Sequence, residues 1–300
     1  MKASKAEVAE DERASGAEPL RVGLIGRGIQ GSRSPRLHME EARALGLRLS
    51  YDRFDLDTDP WSHGGLDDAL RAAQALGYLG VNVTYPFKQE VIDLLDEVSE
   101  DAARLGAVNT VLFRNGRRLG ANTDWSGFAE NFRRGLANAP ARRVAQLGAG
   151  GAGAAAAYAL LRGGVEILTV FDVDAARAEG LVDKLTGLFG EGRIRRGGDL
   201  RATLRGSDGL VNATPIGMAN HPGSPAPPSL LRADMWVCDI VYVPIDTQLL
   251  TSARVRGCRT LDGGGMVVFQ AADAFRLFTG REPDADRMRA AFLEDLRTRP

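Results

Sequence analysis

Lysine is scarce in this chain of 300 residues: Lys2, Lys5, Lys88 and Lys184 are the four lysines among 38 basic residues. Arginine is the default cation, so a lysine in the body of the chain invites a reason. Lys88 closes the run Gly80–Lys88, GVNVTYPFK, in which a strand ends in polar Asn82 and Thr84 and is broken by Pro86. An amine can give up its proton in an apolar site, whereas a guanidinium keeps it, so this lysine suits acid–base work. By spacing alone, a surface lysine opening the helix from Gln89 is the simpler reading. Asp124 stands in Gly120–Phe128, GANTDWSGF, where one pattern of elements ends and another begins. A carboxylate in a cleft between domains could pair with Lys88 and hold it in position. Taken alone, Asp124 reads more simply as a helix cap. Ser32-Arg33-Ser34 offers two hydroxyls, of which Ser34 also suits the cap of the next helix.

The pattern GxGxxG occurs twice. Gly148, Gly150 and Gly153 follow the strand Arg143–Leu147 and open a helix, and Asp172 ends the following strand. Strand, glycines, helix and carboxylate together are what a dinucleotide fingerprint needs. The first glycine makes the turn and the second admits a pyrophosphate. The third allows close helix packing, and the helix N-terminus faces the anion. A purely structural glycine turn is the alternative. The other match is Gly26, Gly28 and Gly31. Its helix starts only after the third glycine, which therefore cannot serve helix packing. It reads as a flexible approach to Ser32 and Ser34, not as a second nucleotide site.

The elements that must position these groups come in two series. The first holds strands at Val22–Ile25, Leu49–Phe54, Gly80–Val83, Ala107–Phe113 and Arg118–Ala121, the last two joined by the turn Asn115-Gly116. Its helices are Pro35–Leu45, Leu66–Leu76 and Gln89–Leu95. The second holds strands at Val144–Leu147, Ile167–Phe171, Gly209–Asn212 and Trp236–Val241, with helices Ala152–Leu161 and Ala175–Leu188. After Gly263 the chain turns helical again, through Gln270–Phe278 and Ala285–Arg297. Alternating strands and helices predict an α/β protein with largely parallel sheets.

Composition removes several classes. A net charge of −1 gives no case for nucleic acid or an anionic membrane. No apolar run approaches the roughly 20 residues of a bilayer span. The polar residues 1–19 lack a signal-peptide core and read as a disordered tail on a cytoplasmic protein. Cys238 and Cys258 are expected to be ordinary reduced thiols. His38, His63 and His221 have no metal-ligand spacing, so no metal is predicted.

The chain resembles the shikimate/quinate dehydrogenase family from about Val22 to Leu293. The matching blocks are SRSP at Ser32–Pro35, NVTYPFK at Asn82–Lys88, GAVNT at Gly106–Thr110 and NTDWSGF at Asn122–Phe128. Further matches are GAGGAG at Gly148–Gly153, NATPIGM at Asn212–Met218, DIVYVPIDTQLL at Asp239–Leu250, and Gln270 in FQAADAF. The resemblance implies two domains: a substrate domain from 20–124 and 262–300, and a Rossmann domain from 125–261. It implies Lys88 and Asp124 as the catalytic pair and Ser32, Ser34 and Tyr242 as binders of the substrate carboxylate. It implies Asn82, Thr84, Asn109 and Gln270 as readers of ring hydroxyls. Gly148, Gly150, Gly151, Ala152, Gly153, Asp172, Asn212, Thr214, Met218 and Gly263 are implied on the cofactor side. The implied reaction interconverts a ring alcohol of quinate or shikimate and its ketone, in a monomer or homodimer.

One block departs from the biosynthetic members, whose second Rossmann strand usually ends in Asn-Arg-Thr and grips the 2′-phosphate of NADP. Here the residues are Asp172, Val173 and Asp174. The resemblance is therefore judged closer to the NAD-using quinate/shikimate dehydrogenases, and NAD is the expected cofactor. The rivals are an NADP-dependent biosynthetic enzyme, a relative acting on aminoshikimate, and a catalytically silent nucleotide sensor on the same fold.

Overall fold

The computed structural model describes residues 18–58, 60–61 and 63–298; all but the last two residues of the expected tail, 1–19, lie outside them. Two six-stranded sheets form. The first is built from β1 (Leu20–Gly26), β2 (Leu49–Asp55), β3 (Gly80–Val83), β4 (Glu97–Val98), β5 (Thr110–Arg114) and β6 (Arg117–Ala121), in the order β2-β1-β3-β5-β6-β4. It is more mixed than expected. The hairpin β5–β6, turned at Asn115 and Gly116 with φ 51 and 76, makes two antiparallel pairings. Helices α1 (Ser34–Ala44), α2 (Leu66–Ala75) and α3 (Glu100–Leu105) accompany it. The helix expected from Gln89 is a 3-10 turn, Glu90–Leu94.

The second sheet is wholly parallel, with the order β12-β11-β10-β7-β8-β9. Its strands are β7 (Arg143–Leu147), β8 (Ile167–Phe171), β9 (Ile194–Arg196), β10 (Gly209–Asn212), β11 (Trp236–Asp239) and β12 (Arg259–Leu261). This is the doubly wound dinucleotide-binding order. Helices α4 (Asp124–Gly135), α5 (Gly151–Arg162), α6 (Ala175–Phe189), α7 (Leu200–Arg205) and α8 (Gln248–Val255) belong to this half of the chain. The strands read as short apolar runs because both faces are covered. Val144, Leu168, Val211 and Trp236 pack with Leu160 of α5 and Leu185 of α6 on one side. Ala145, Leu210 and Val237 pack with Leu249 and Leu250 of α8 on the other.

The C-terminal helices α9 (Gly264–Thr279) and α10 (Ala285–Thr298) return to the first sheet. Ala274 and Phe278 of α9 are buried against Val22, Leu24 and Tyr51, while α2 covers the opposite face around Ile25, Phe54 and Val81. Helix α9 starts directly after Gly263, where the chain is expected to turn helical again, and its first two residues are glycines packed against neighbours. A Cβ on Gly265 would lie 1.8 Å from Asn131 Oδ1 of α4, and one on Gly127 of α4 would lie 2.6 Å from the Gln270 backbone nitrogen. The two helices that follow the chain's crossings between sheets thus touch backbone to backbone. Asn131 Nδ2 also donates to the Asp262 carbonyl at 2.9 Å. Among the described residues no helix is long and apolar enough to cross a membrane.

Candidate active site

Both sheets turn their switch points, between β1 and β3 and between β7 and β10, toward one cleft of about 450 Å³. It is lined by Ser32, Ser34, Asn82, Thr84, Lys88, Asn109 and Asp124 from the first half of the chain, and by Ala152, Tyr242, Gly263 and Gln270 from the rest. Residues far apart in sequence, expected to act together, therefore meet.

Lys88 follows the break after β3, and its carbonyl accepts the Val108 backbone N–H at 2.7 Å, which ties it to the segment that carries Asn109 into β5. Asp124 opens α4. The Asn122 side chain takes the capping role there, accepting the backbone N–H of Asp124 at 3.0 Å. The Asp124 carboxylate is thereby left for the cleft. Lys88 Nζ donates to Asp124 Oδ2 at 2.6 Å, with the two side chains 29% and 13% exposed. Both side chains are partly buried and face each other, and Asp124 is the first residue of α4 rather than its cap. Asn109 Nδ2 donates to the other oxygen, Asp124 Oδ1, at 3.0 Å.

The serine corner differs from expectation. Arg33, not Ser34, occupies the cap position of α1, and Ser34 is the first helical residue. Ser32 Oγ accepts the Ser34 backbone N–H at 3.3 Å. The loop before it is not a loose approach. Asp55, at the end of β2, accepts the backbone N–H groups of Gly28 at 2.9 Å and Ile29 at 3.0 Å, and the Gln30 amide at 3.0 Å. Burial pushes its carboxyl up, but these donors and the Asp57 backbone N–H hold it below the usual carboxylate range.

Two of the residues expected to read hydroxyls are largely spoken for. Asn109 gives its amide hydrogens to Asp124 and to Thr123 Oγ1 at 2.9 Å, and its carbonyl accepts the Thr123 backbone N–H at 2.8 Å and the Thr110 hydroxyl at 3.0 Å. Asn82 gives its hydrogens to the Asn109 backbone carbonyl at 3.2 Å and Thr110 Oγ1 at 3.0 Å, and accepts the Tyr51 hydroxyl at 2.8 Å. A ligand hydroxyl can reach at most a remaining lone pair of Asn82. Sequence reading missed Tyr51, Thr110 and Thr123. The alternation along β2 places Tyr51 inward, but no motif marks it.

The second glycine turn fits a dinucleotide. Gly148 has φ +97, and a Cβ there would lie 2.6 Å from the Ala213 carbonyl oxygen. A Cβ on Gly153 would lie 2.4 Å from the Gly148 carbonyl oxygen, so α5 packs tightly on the turn. Gly150 and Gly151 face open space at the helix N-terminus, where an anion would sit. Asp172 stays beside the turn by accepting the Ala149 backbone N–H at 2.7 Å. Asp174 caps α6, with Arg177 at 3.8 Å, and Val173 is fully exposed. Asn212 is buried and its side chain is used internally: it donates to the Ile216 carbonyl and Asp239, and accepts from Thr214. It therefore shapes the loop that exposes Met218. Burial pushes the Asp239 carboxyl up to about 6, against hydrogen bonds from Thr247, Val241 and Asn212.

Comparison with known proteins agrees with this geometry. The family described as "Shikimate dehydrogenase substrate binding domain" matches residues 24–111, and "Shikimate 5'-dehydrogenase C-terminal domain" matches 263–291. The chain is 51% identical to a shikimate dehydrogenase (NADP(+)) of Arthrobacter sp. (strain FB24), covering 93% of this chain and 96% of that one. It is 49% identical to a quinate/shikimate dehydrogenase (NAD(+)) of Corynebacterium efficiens, covering 92% and 98%. The quinate dehydrogenase of Corynebacterium glutamicum solved in complex with NAD superposes with a TM-score of 0.90 at 47% identity, covering 93% and 100%. Overall identity thus does not set the chain nearer the NAD-named relatives, as had been expected; the argument for NAD rests on residues 172–174.

Proposed function

This chain belongs to the shikimate dehydrogenase family, and on that premise we propose that it oxidises quinate and shikimate reversibly to the 3-dehydro ketone, with NAD as the preferred cofactor. It is an oxidoreductase of the kind that acts on cyclic polyol acids. The observation that carries the reading is the Lys88–Asp124 pair, 2.6 Å apart in a cleft that Ala152 of the glycine turn also lines.

The nicotinamide nucleotide supplies the hydride acceptor, and the protein supplies the rest. Ser32, Ser34 and Tyr242 hold the substrate carboxylate at one end of the cleft. Thr84, Gln270 and the free lone pair of Asn82 meet ring hydroxyls, whose burial without partners would cost about 1–3 kcal/mol each. Lys88 takes the proton of the reacting hydroxyl in oxidation and returns it in reduction. Asp124 keeps the lysine aimed, and Asn109 keeps Asp124 aimed. Residues 20–124 and 262–300 would form the substrate unit and 125–261 the nucleotide unit. On the nucleotide side, Asp172 would accept the adenosine ribose hydroxyls, and a 2′-phosphate would set a dianion against it.

Absorbance at 340 nm with quinate and shikimate, each with NAD and NADP, tests the reading. Turnover of both acids with kcat/KM roughly a hundredfold higher for NAD is expected. No quinate oxidation at millimolar substrate would remove quinate from it, and equal or better use of NADP would remove the cofactor assignment. The NADP-named relatives at 50–53% identity make that the outcome to watch.

A further inference from the structure

The side-chain hydrogen bonds around Asp124 have one possible direction. A carboxylate only accepts, so Asn109 must turn its Nδ2 to Asp124 Oδ1, 3.0 Å away. Its Oδ1 then faces the Thr123 backbone N–H, which can only donate. The Thr110 hydroxyl, 3.0 Å from that same Oδ1, must donate to it. Its oxygen must therefore accept from Asn82 Nδ2, also 3.0 Å away. That leaves Asn82 Oδ1 facing the Tyr51 hydroxyl at 2.8 Å, and the phenol must donate. Every orientation follows from the charge at the far end. The members are nearly or wholly buried: Tyr51 is 6% exposed, Asn82 7%, Asn109 3% and Thr110 0%.

Tyr51 itself is held firmly. Its ring packs against His38 with centroids 5.0 Å apart, and the Ser34 hydroxyl adjoins its phenol. Burial pushes the phenol up, well above its usual range, so it stays a donor wherever the enzyme works. His38 is buried with neither ring nitrogen hydrogen-bonded and is held neutral, so it does not compete for the proton.

We propose that Tyr51 is a positioning residue for the reaction: through Asn82, Thr110 and Asn109 it fixes the Asp124 carboxylate that faces Lys88. No proton travels along this chain. Its effect is to hold the two amides, whose orientation the charge at Asp124 sets, firmly in place. With the Tyr51 hydroxyl gone, the buried Asn82 carbonyl loses its donor; Asn82 still donates to the Asn109 backbone carbonyl at 3.2 Å, but Asn82, Thr110 and Asn109 are held in place less firmly. Asp124 then turns more freely about its remaining contacts and supports the lysine ammonium less. The inference rests on the Lys88–Asp124 reading above. Other titratable or charged groups lining the cleft, Arg27, Tyr85 and Tyr242, lie outside the chain of bonds.

The test uses Tyr51→Phe, Thr110→Val and Thr110→Ser, with kcat, KM and pH profiles for oxidation and with the melting temperature as a control. Tyr51→Phe should lower kcat roughly tenfold, with cofactor KM unchanged, the scale expected of a small misplacement of a reacting group. The pH midpoint of kcat/KM should fall, because an ammonium with a looser carboxylate partner is less stabilised. Thr110→Val should reproduce both effects, and Thr110→Ser, which keeps the hydroxyl, should retain the wild-type profile. The double variant Tyr51→Phe/Thr110→Val should be no worse than either single change, because both cut one chain. An unchanged or raised pH midpoint, or additive losses in the double variant, would overturn the proposal in favour of packing alone. If Lys88→Ala has no effect on turnover, the underlying reading fails first, and the two failures are distinguishable.

Discussion

At the ends of β1 and β7 the chain makes two turns of the same glycine spacing, each beside a parallel strand whose carboxylate stands next to the turn. Gly26 pairs in register with Asp55, and Leu147 pairs with Phe171, the residue before Asp172. In the second turn α5 starts at Gly151, and Asp172 accepts a single backbone N–H of the turn, that of Ala149. The amides at the start of α5 are left for a ligand. In the first turn α1 starts only at Ser34, and the longer loop folds onto Asp55, whose carboxylate takes the N–H groups of Gly28 and Ile29. The protein's own carboxylate occupies the place an anion would take. Glycine spacing makes an anion cradle available, and the distance to the helix decides whether the chain fills it itself.

If both turns serve only to hold, removing the group between them should stop turnover and leave both intact. Lys88→Ala should lower kcat by about 10²–10⁴-fold with nucleotide affinity unchanged. A fall below about fivefold in a folded variant would move the chemistry elsewhere. Lys88→Arg should not rescue, because its guanidinium keeps its proton. The third glycines separate the turns next. A side chain at Gly153 meets the Gly148 carbonyl oxygen at 2.4 Å, so Gly153→Val should weaken nucleotide binding by about a hundredfold or more, read by calorimetry.

The two carboxylates should fail in different ways. Asp55→Ala strips an acceptor from three donors and should cost about 2–3 kcal/mol in urea denaturation. Because the folded Asp55 carboxyl is held below its usual range, its contribution is present above about pH 4 and is lost as pH falls further. The variant should lack that part of the acid dependence. Asp172→Asn with Val173→Arg should leave stability nearly unchanged and lower the ratio of kcat/KM for NAD over NADP by about tenfold or more. An unmoved ratio would mean that Asp172 does not face the ribose. The smallest effect belongs to Gly31→Ala. A Cβ there meets nothing within 4 Å, so stability should stay within about 0.5 kcal/mol and kcat within a factor of about two. A large loss would show that the two turns are more alike than their contacts imply.

The residues that meet in the cleft were legible because their blocks carry local chemistry: a broken strand before Lys88, a turn before Asp124, a strand and helix around Gly148–Gly153. What escaped notice acts through distant partners. Edge strands β4, β9 and β12 are two or three residues long and owe their form to a neighbouring strand. Gly264 and Gly265 sit in a helix against their propensity, because Ile245 and Phe292 crowd the first and Asn131 of α4 crowds the second. Asp55 and Tyr51 belong to a strand whose sequence shows alternation but not its partners. Lysine scarcity gave a useful but unselective signal. It singled out Lys184 as readily as Lys88, and Lys184 donates to the Leu105 carbonyl as a structural link.

The close seat of α4 against α9 bears on how the cleft can move. Asp124 is the first residue of α4, and Gly263 immediately precedes α9, so the chain passes between the two sheets at the floor of the cleft itself. With Gly127 and Gly265 leaving no gap, the two crossings are packed tightly together, and a swing of one sheet against the other would have to turn about them. Points near a fulcrum travel little, while the lips travel far. Asp124 and its partner Lys88 sit near that point, and Ser32 and Tyr242 lie further out along the cleft. A swing that tightened or relaxed the lips would therefore leave the 2.6 Å contact between Lys88 and Asp124 in place.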